Sequence, residues 1–566
     1  MLSWKRMLYV VLIVSVVSCV FMIYNINEER ARHIRIRNVQ EEEREFVSAG
    51  QVSEEKKPRV RLIGDKKEDI YKDIYRNTRQ LFDNLHFTVI EETGLDAEKL
   101  DGEELIVFCD DSLSSYTDLT ELGAFIERGG KVILAAGLPE GYEDSYLWPF
   151  LGIREKSVRE NYNRLSFEES LMPLQFDEVV YDGYNASTWL SIDEDAEVYV
   201  RDADKDVPIL YTCDRGKGRI CLVNGTFLAD VRCMGLLTGA LSVTEKDFIY
   251  PVLGTRTVFL DNFPMITFIN DKVCMQMYGC STESFVRDVV WPGFQGMSLR
   301  TQTPYTSSIL AVASEEDSFP AINDSLFTTI GKSALQFEGE LIYAANCKDP
   351  GRICFNRQFI DEFEEVFRNY EIQGLALQSD HFTESMLEIP GTRIGFVRTR
   401  LDGEGAGFSC DKEYLEFPAA TAGNSMEEGN LFAVTSVLAS YGMISHVFDI
   451  NTLIAEDEST ASWDRDKKQI EIFESEILRN VSWLEKRVLS QTGDDIRSYL
   501  NLEYGWKKEA GRVELDCSNM VKGQAFYYRT DGKIADAEGL TYEEIGNGYY
   551  LLRIFENHAV ITMEGE

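Results

Sequence analysis

Between residues 58 and 140 short apolar runs alternate with stretches of helical period. Val60-Arg61-Leu62-Ile63-Gly64 reads as a strand, 68–84 as a helix, 86–92 as a second strand and 104–109 as a third. A helix then runs to Arg128, stops at Gly129-Gly130, and gives way to a strand over 131–136. Strands alternating with helices, with glycine at a helix end, predict βαβ units and a mostly parallel sheet. The stretches 196–201, 208–212 and 219–222 continue the strand pattern. Arg215-Gly216-Lys217-Gly218 reads as a hairpin turn, because it is too short for a phosphate cradle and no helix opens on it.

The pattern changes near residue 254. Val258-Phe259-Leu260 runs straight into Asp261-Asn262, then Phe263-Pro264. That is how a buried parallel strand delivers polar groups to the carboxyl-end rim of an α/β barrel. Gly374-Leu375-Ala376-Leu377-Gln378 reaches Asp380-His381, and Ile394-Gly395-Phe396-Val397 reaches Arg398, in the same way. Met443-Ile444-Ser445-His446-Val447-Phe448-Asp449 is a further strand. Ser281 is an N-cap candidate for a helix over 283–290 that ends before Trp291-Pro292. Residues 464–490 carry apolar side chains at near-helical spacing and predict one long outer helix. From about 502 onward the chain alternates as strands, over 512–515, 524–529, 549–555 and 559–563. Asp531-Gly532 and Asn547-Gly548 are their hairpin turns, and together they predict a small β-sandwich. Tyr527, Tyr528, Tyr549 and Tyr550 read as packing or as a surface for stacking on sugar rings.

Residues 7–24 are apolar and uncharged, and eighteen residues of helix span roughly 27 Å, about one bilayer core. Val16-Val17-Ser18-Cys19 is a lipobox-like alternative, but the run continues to Tyr24, which suits an uncleaved signal-anchor. Basic residues flank it on both sides (Lys5 and Arg6, then Arg30, Arg32, Arg35 and Arg37), so charge leaves the orientation open. Residues 28–57 are charged and lack apolar period, as a stalk does. The expected organisation is an anchor (1–27), stalk (28–57), a first α/β domain (58–253), a barrel (254–500) and a β-sandwich cap (501–566).

At 566 residues, 44% hydrophobic and 27% charged, the chain has the length and composition for several globular cores. Its formal net charge of -39 argues against nucleic acid, and against anionic lipid beyond the anchor. A neutral or cationic partner suits it, such as a partly deacetylated amino-sugar oligomer. The eleven cysteines form no CxxC and no Cys/His ligand spacing. Cys274 with Cys280, or Cys347 with Cys354, could pair in an exported chain. Cys109 ends a strand, but Asp110-Asp111 follows it with no glycine-flanked elbow and no nearby histidine, so it reads as a buried structural thiol.

Two stretches resemble known families. Phe125-Ile126-Glu127-Arg128-Gly129-Gly130-Lys131-Val132-Ile133-Leu134 is similar to the flavodoxin-type, glutamine-amidotransferase-like modules found beside carbohydrate-active domains. The Asp261-Asn262 strand, with the polar turn Tyr278-Gly279-Cys280-Ser281 and Trp291 after it, resembles the NodB-type polysaccharide deacetylases. More narrowly, it resembles a membrane-anchored bacterial deacetylase-like family with relatives in Pel-type exopolysaccharide clusters. In that superfamily the strand ends in two aspartates, a general base and then a metal ligand. The resemblance makes Asp261 the base and puts an amide, Asn262, where the ligand belongs. A histidine pair should complete the metal site, but Glu338-Gly339-Glu340-Leu341-Ile342-Tyr343-Ala344-Ala345-Asn346-Cys347-Lys348-Asp349, in its place, has none. The chain's five histidines (His33, His86, His381, His446, His558) include no two that lie three to five residues apart. Cys347 and Asp349 are substitute ligands or a plain loop. His446 takes the position of the leaving-group acid, with Asp449 where the family has a second histidine.

These readings predict an α/β chain: a flavodoxin/amidotransferase-like module, a NodB-like (β/α) barrel and a small C-terminal β-sandwich. The expected function is that of a membrane-anchored, extracytoplasmic, deacetylase-like protein of exopolysaccharide production, catalytically degenerate and active in glycan binding or complex assembly. The alternatives are an active de-N-acetylase with an atypical site, or a structural partner of synthase subunits. Asp261 and His446 are the catalytic candidates. Asn262, Arg398, Asp380, His381 and Asp449 are the candidate substrate contacts. No cofactor is expected, and zinc only if the enzyme alternative holds.

Overall fold

The computed structural model describes residues 45–47, 52–64, 69–100, 104–315, 319, 324–349, 351–368, 370–379, 382–400, 408, 414–419, 421–454, 457, 462–546 and 548–565. The 7–24 run, Asp380, His381 and Asn547 lie outside them.

The first sheet runs, in hydrogen-bonded order, Thr88–Glu92, Arg59–Ile63, Leu105–Phe108, Lys131–Leu134, Gly218–Val223, Pro208–Arg215, Glu197–Asp202, Arg164–Phe167 and Glu178–Val180. The strands from Thr88–Glu92 to Gly218–Val223 are parallel, and the rest add antiparallel. The local signals act as expected. Asp118 caps the helix Leu119–Arg128 by accepting from Thr120 N, and Gly129, at φ 127°, ends it in a conformation that favours glycine. Arg215 pairs with Gly218 across the expected hairpin turn.

The second sheet decides the architecture. Its order is Leu415–Ala419, Phe396–Arg400, Gly374–Leu377, Glu340–Asn346, Tyr305–Ser314, Thr255–Asp261, Met443–Asp449 and Thr421–Ala422, with every neighbour parallel. The strands at the two ends of this order are separated by one residue of chain, so the sheet curls into a nearly closed barrel. Side chains alternate between its two faces. Phe259, Ile342, Ala344, Ala376, Phe417 and Val447 share one buried cluster, whereas Val258, Leu260, Leu341, Tyr343, Val397 and Phe448 belong to another that includes outer-helix residues such as Phe294 and Phe473.

The helix Leu489–Leu500 closes the end of the barrel where the strands begin. Thr492 hydroxyl bonds Thr257, Leu489 N donates to Thr306 Oγ1, and Ser490 N donates to Glu340 Oε2. Along the flank of the barrel the first domain is docked through two mostly buried helices, Met234–Glu245 and Glu428–Tyr441, the latter leading into the strand Met443–Asp449. Gly235 makes this approach possible. Its N–H donates to Ser436 Oγ at 2.8 Å, and a Cβ there would stand 2.6 Å from Ser436 Cα.

Two antiparallel four-stranded sheets complete the chain. One is ordered Phe248–Pro251, Gln524–Arg529, Tyr549–Ile554, Leu540–Gly546; the other Glu503–Glu509, Arg512–Ser518, His558–Met563, Ile534–Glu538. Ile249, Leu515, Phe526, Leu552 and Ile561 lie in the buried cluster they share. The strand Phe248–Pro251 thus ties the segment before the barrel to the end of the chain, and Phe46–Val47 pairs with Met520–Val521. Tyr527, Tyr528, Tyr549 and Tyr550 are buried, as packing requires.

Two expectations need correction. The helix after Ser281 does not stop before Trp291-Pro292. It passes through a wide π turn at Val286–Val290 and continues as Trp291–Thr301, with Pro292 in the first turn of that segment, where a missing N–H costs least. The 464–490 stretch is not one helix. Ser462–Ile472 and the π turn Phe473–Leu478 are followed by Glu485–Lys486, which pairs with the barrel strand at Thr255 and Arg256. An edge backbone can pair whatever its side-chain period, so helical spacing did not betray this. Cys274, Cys280, Cys347 and Cys354 are free thiols.

Candidate functional site

The carboxyl ends of the barrel strands open into a cavity of about 920 Å³, roofed by the first domain. Asp261, Asn262, Gln378, Arg398, Asp449 and Asn451 line it from the barrel; Arg76, Asn77, Asp230 and Arg232 line it from the roof. Among the described residues, its lining contains no aromatic side chain.

Asp261 and Arg398 sit at its floor, both buried. The guanidinium donates to Asp261 through Nη1–Oδ1 at 2.6 Å and Nη2–Oδ2 at 2.8 Å, and lies 4.9 Å from the Phe259 ring. Ser308 hydroxyl donates to Oδ1 at 2.7 Å. Both carboxylate oxygens are therefore occupied, one of them twice. Such a bidentate pair fixes both groups and leaves the carboxylate poorly placed to take a proton from water. Arg398, expected as a substrate contact, has a geometry that serves to orient Asp261.

Asn262 takes φ 56°, a left-handed conformation that asparagine tolerates better than most residues, and so turns the chain off the strand end. Its Nδ2 donates to Asp449 Oδ1 at 2.8 Å. Asn451 N donates to the same oxygen at 3.0 Å. Asp261 and Asp449 are register partners on adjacent strands. Burial raises the Asp449 carboxyl above its ordinary range, opposed by the Asn262 and Asn451 hydrogen bonds.

His446 is not in the cavity. Strand alternation sends Val447 and Asp449 inward and His446 outward, where it packs 4.6 Å from the Phe473 ring. Its Nδ1 bonds Thr421 Oγ1 at 2.7 Å and its Nε2 bonds Gly423 O at 3.0 Å. Burial lowers it to about 3, so the ring is neutral. Both ring nitrogens are thus in use, bonded to Thr421 and Gly423, which line the cavity while the ring itself does not.

The residues present do not fit a divalent metal. The charge opposite Asp261 is a guanidinium, position 262 is an amide that donates rather than ligates, and no histidine lines the cavity among the described residues. Cys347 is buried in the outer cluster, and Asp349 Oδ1 caps a loop by accepting from Gly351 N. Among the described residues, no group of three or more His, Cys, Asp or Glu could hold a metal ion.

Several lining residues had no place in the sequence reading. Ser308, which bonds Asp261 without lining the cavity, carried little signal, being one of several small polar residues in a wholly buried strand. Asn451 carried one, two residues after Asp449. Arg76, Asn77, Asp230 and Arg232 had none, because only the docking of the first domain brings them to the barrel.

The family described as "Uncharacterised protein conserved in bacteria (DUF2194)" matches residues 48–342, just over half of the chain. The chain belongs to this family. No curated protein matches it. Among solved structures, a ThuA-like protein from Bacteroides uniformis is 16% identical, with 34% of this chain and 92% of that chain covered and a TM-score of 0.24. A β-galactosidase from Bacillus circulans sp. alkalophilus is 13% identical over 34% of this chain and 33% of that one, also at 0.24. The chain thus spans about a third of that β-galactosidase. The expectation of deacetylase relatives is corrected only this far: these neighbours are a ThuA-like protein and a glycosidase. Among the described residues, which do not include 7–24, no helix is long and apolar enough to cross a membrane.

Proposed function

We propose that this DUF2194 protein binds a glycan-type, polyhydroxylated ligand in the cavity at the barrel mouth and does not hydrolyse it. The observation that carries this is the locked Asp261–Arg398 pair at the floor of a cavity lined with amides and hydroxyls. Asn77, Asn346, Gln378, Asn430 and Thr452 offer donors and acceptors, the chemistry sugar hydroxyls need. The Asp261 carboxylate has a counter-ion already, and His446 has its back to the cavity. Both weigh against acid–base hydrolysis.

The domain readings belong to the same proposal. A parallel order that places Arg59–Ile63 between Thr88–Glu92 and Leu105–Phe108, then Lys131–Leu134 and Gly218–Val223, supports a flavodoxin-like first domain. Two four-stranded sheets around one cluster support a C-terminal sandwich.

Calorimetric titration with neutral oligosaccharides, run beside an acetate-release assay on N-acetylated ones, tests the function. Saturable binding without acetate release is expected. Release that disappears in Asp261→Asn would overturn the non-hydrolytic reading, and absence of binding to every oligosaccharide would overturn the glycan reading.

A further inference from the structure

The charged groups lining the cavity are not equivalent. Asp261 is matched by Arg398, Asp230 by Arg232 at 2.7 Å, and Arg76 by Asp73 at 2.9 Å. Asp449 remains. Its Oδ1 accepts from two neutral donors, Asn262 Nδ2 and Asn451 N, while Oδ2 has no hydrogen-bond or ion-pair partner among the described residues. A partly buried carboxylate that keeps one oxygen for the cavity, in a lining whose other charges are paired internally, favours a ligand that brings a cation.

We infer that Asp449 is a specificity residue that takes the ammonium of an amino sugar, so that the cavity prefers a glycan with free amines over its N-acetylated or neutral counterpart. The inference rests on the glycan-binding reading and narrows it. An acetamide in the same place presents a neutral N–H, a weaker partner for a carboxylate than an ammonium, and adds an acetyl group to accommodate. The floor pair cannot substitute, because both Asp261 oxygens already accept from Arg398 and Ser308. The acidic chain as a whole, at a net charge of -39, adds long-range attraction of the same sign but no positional preference.

The full chain would be titrated at pH 7 and moderate salt with soluble tetramers of glucosamine, N-acetylglucosamine and glucose. The expected result is binding of all three, with glucosamine preferred by about tenfold or more, the scale of one charge-assisted hydrogen bond. In Asp449→Asn the preference for glucosamine over glucose should fall to about twofold or less. Asparagine keeps an oxygen to accept from Asn262 and Asn451, so the turn survives, which an unchanged melting temperature would verify. Equal binding of the three tetramers by the wild type overturns the inference and leaves glycan binding standing. A preference that persists in Asp449→Asn at normal stability also overturns it, by assigning the selectivity to overall charge. No binding of any tetramer removes both readings.

Discussion

Arg398 and Asp261 meet across the inside of the barrel. Their strands, Phe396–Arg400 and Thr255–Asp261, are separated in the sheet by three others, yet the side chains bond at 2.6 and 2.8 Å. Only a sheet that curls back on itself brings them together. The pair therefore reports barrel closure as well as occupying the cavity floor.

Breaking it from one side should be costly. Arg398→Ala leaves a buried carboxylate without its counter-ion, and the expected loss is about 3–5 kcal/mol. The double variant Asp261→Asn with Arg398→Met removes both charges and should recover a large part of that loss. Urea unfolding of the three proteins checks this. Additive losses would show that the two groups do not act as a pair.

Buried titratable groups should give stability two opposing pH dependences. Burial raises Glu340 to about 7 at the foot of the barrel. Its folded-state value lies above its unfolded one, so its contribution is fully present below about 4.5 and is lost as pH rises through about 7. Burial lowers His446 to about 3 and His86 to about 4. Their folded-state values lie below the unfolded ones, so their contributions are present above about 6.5 and are lost as pH falls through about 4 and then about 3. Melting temperature against pH should flatten on its alkaline side in Glu340→Gln, which keeps an acceptor for Ser490 N. A wild-type alkaline slope in that variant would remove Glu340 from the account.

His446→Ala should weaken the fold and spare the cavity. It deletes a buried ring and leaves the Thr421 hydroxyl and the Gly423 carbonyl without their partner, together worth about 2–4 kcal/mol. Oligosaccharide affinity, measured well below the melting temperature, should stay within about twofold. A selective loss of affinity at unchanged stability would return His446 to the site.

Gly235→Val should loosen the first domain from the barrel. The added Cβ would stand 2.6 Å from the Ser436 backbone, and neither buried helix has room to give. The expected cost is about 1–3 kcal/mol, with weaker oligosaccharide binding because the roof of the cavity shifts. Unchanged protease sensitivity and binding would show that this helix contact does not set the cavity.

The thiol of Cys109 should resist alkylation in the folded protein and react once urea unfolds it. Burial pushes it up to about 12, with no cation placed to stabilise a thiolate. Mass spectrometry after iodoacetamide treatment distinguishes the two states, and rapid native labelling would revive it as a nucleophile.

Much of this organisation was legible in the chain, because strand and helix periods are local properties. The parallel strands of the first domain, the Arg215–Gly218 hairpin turn, the strand ending in Asp261 and the tyrosine-rich C-terminal strands follow from runs of a few residues that bury one face or both. Asp261, Asn262, Arg398 and Asp449 were marked because polar groups at the end of an apolar strand have few other uses. What only the tertiary structure decided were relations between distant segments. Alternation along one strand sets His446 outward and Asp449 inward, but which face is inward depends on how the sheet curls. The partner of Asp261 depends on barrel closure, and the roof of the cavity on a glycine that lets two helices touch. Edge pairing at Glu485–Lys486 ended a helix that side-chain spacing alone would have extended, and the π turn at Val286–Val290 carried another past Pro292. Local sequence determines which elements can form and which residues reach their ends; the burial of shared surface between those elements decides which of these residues face one another.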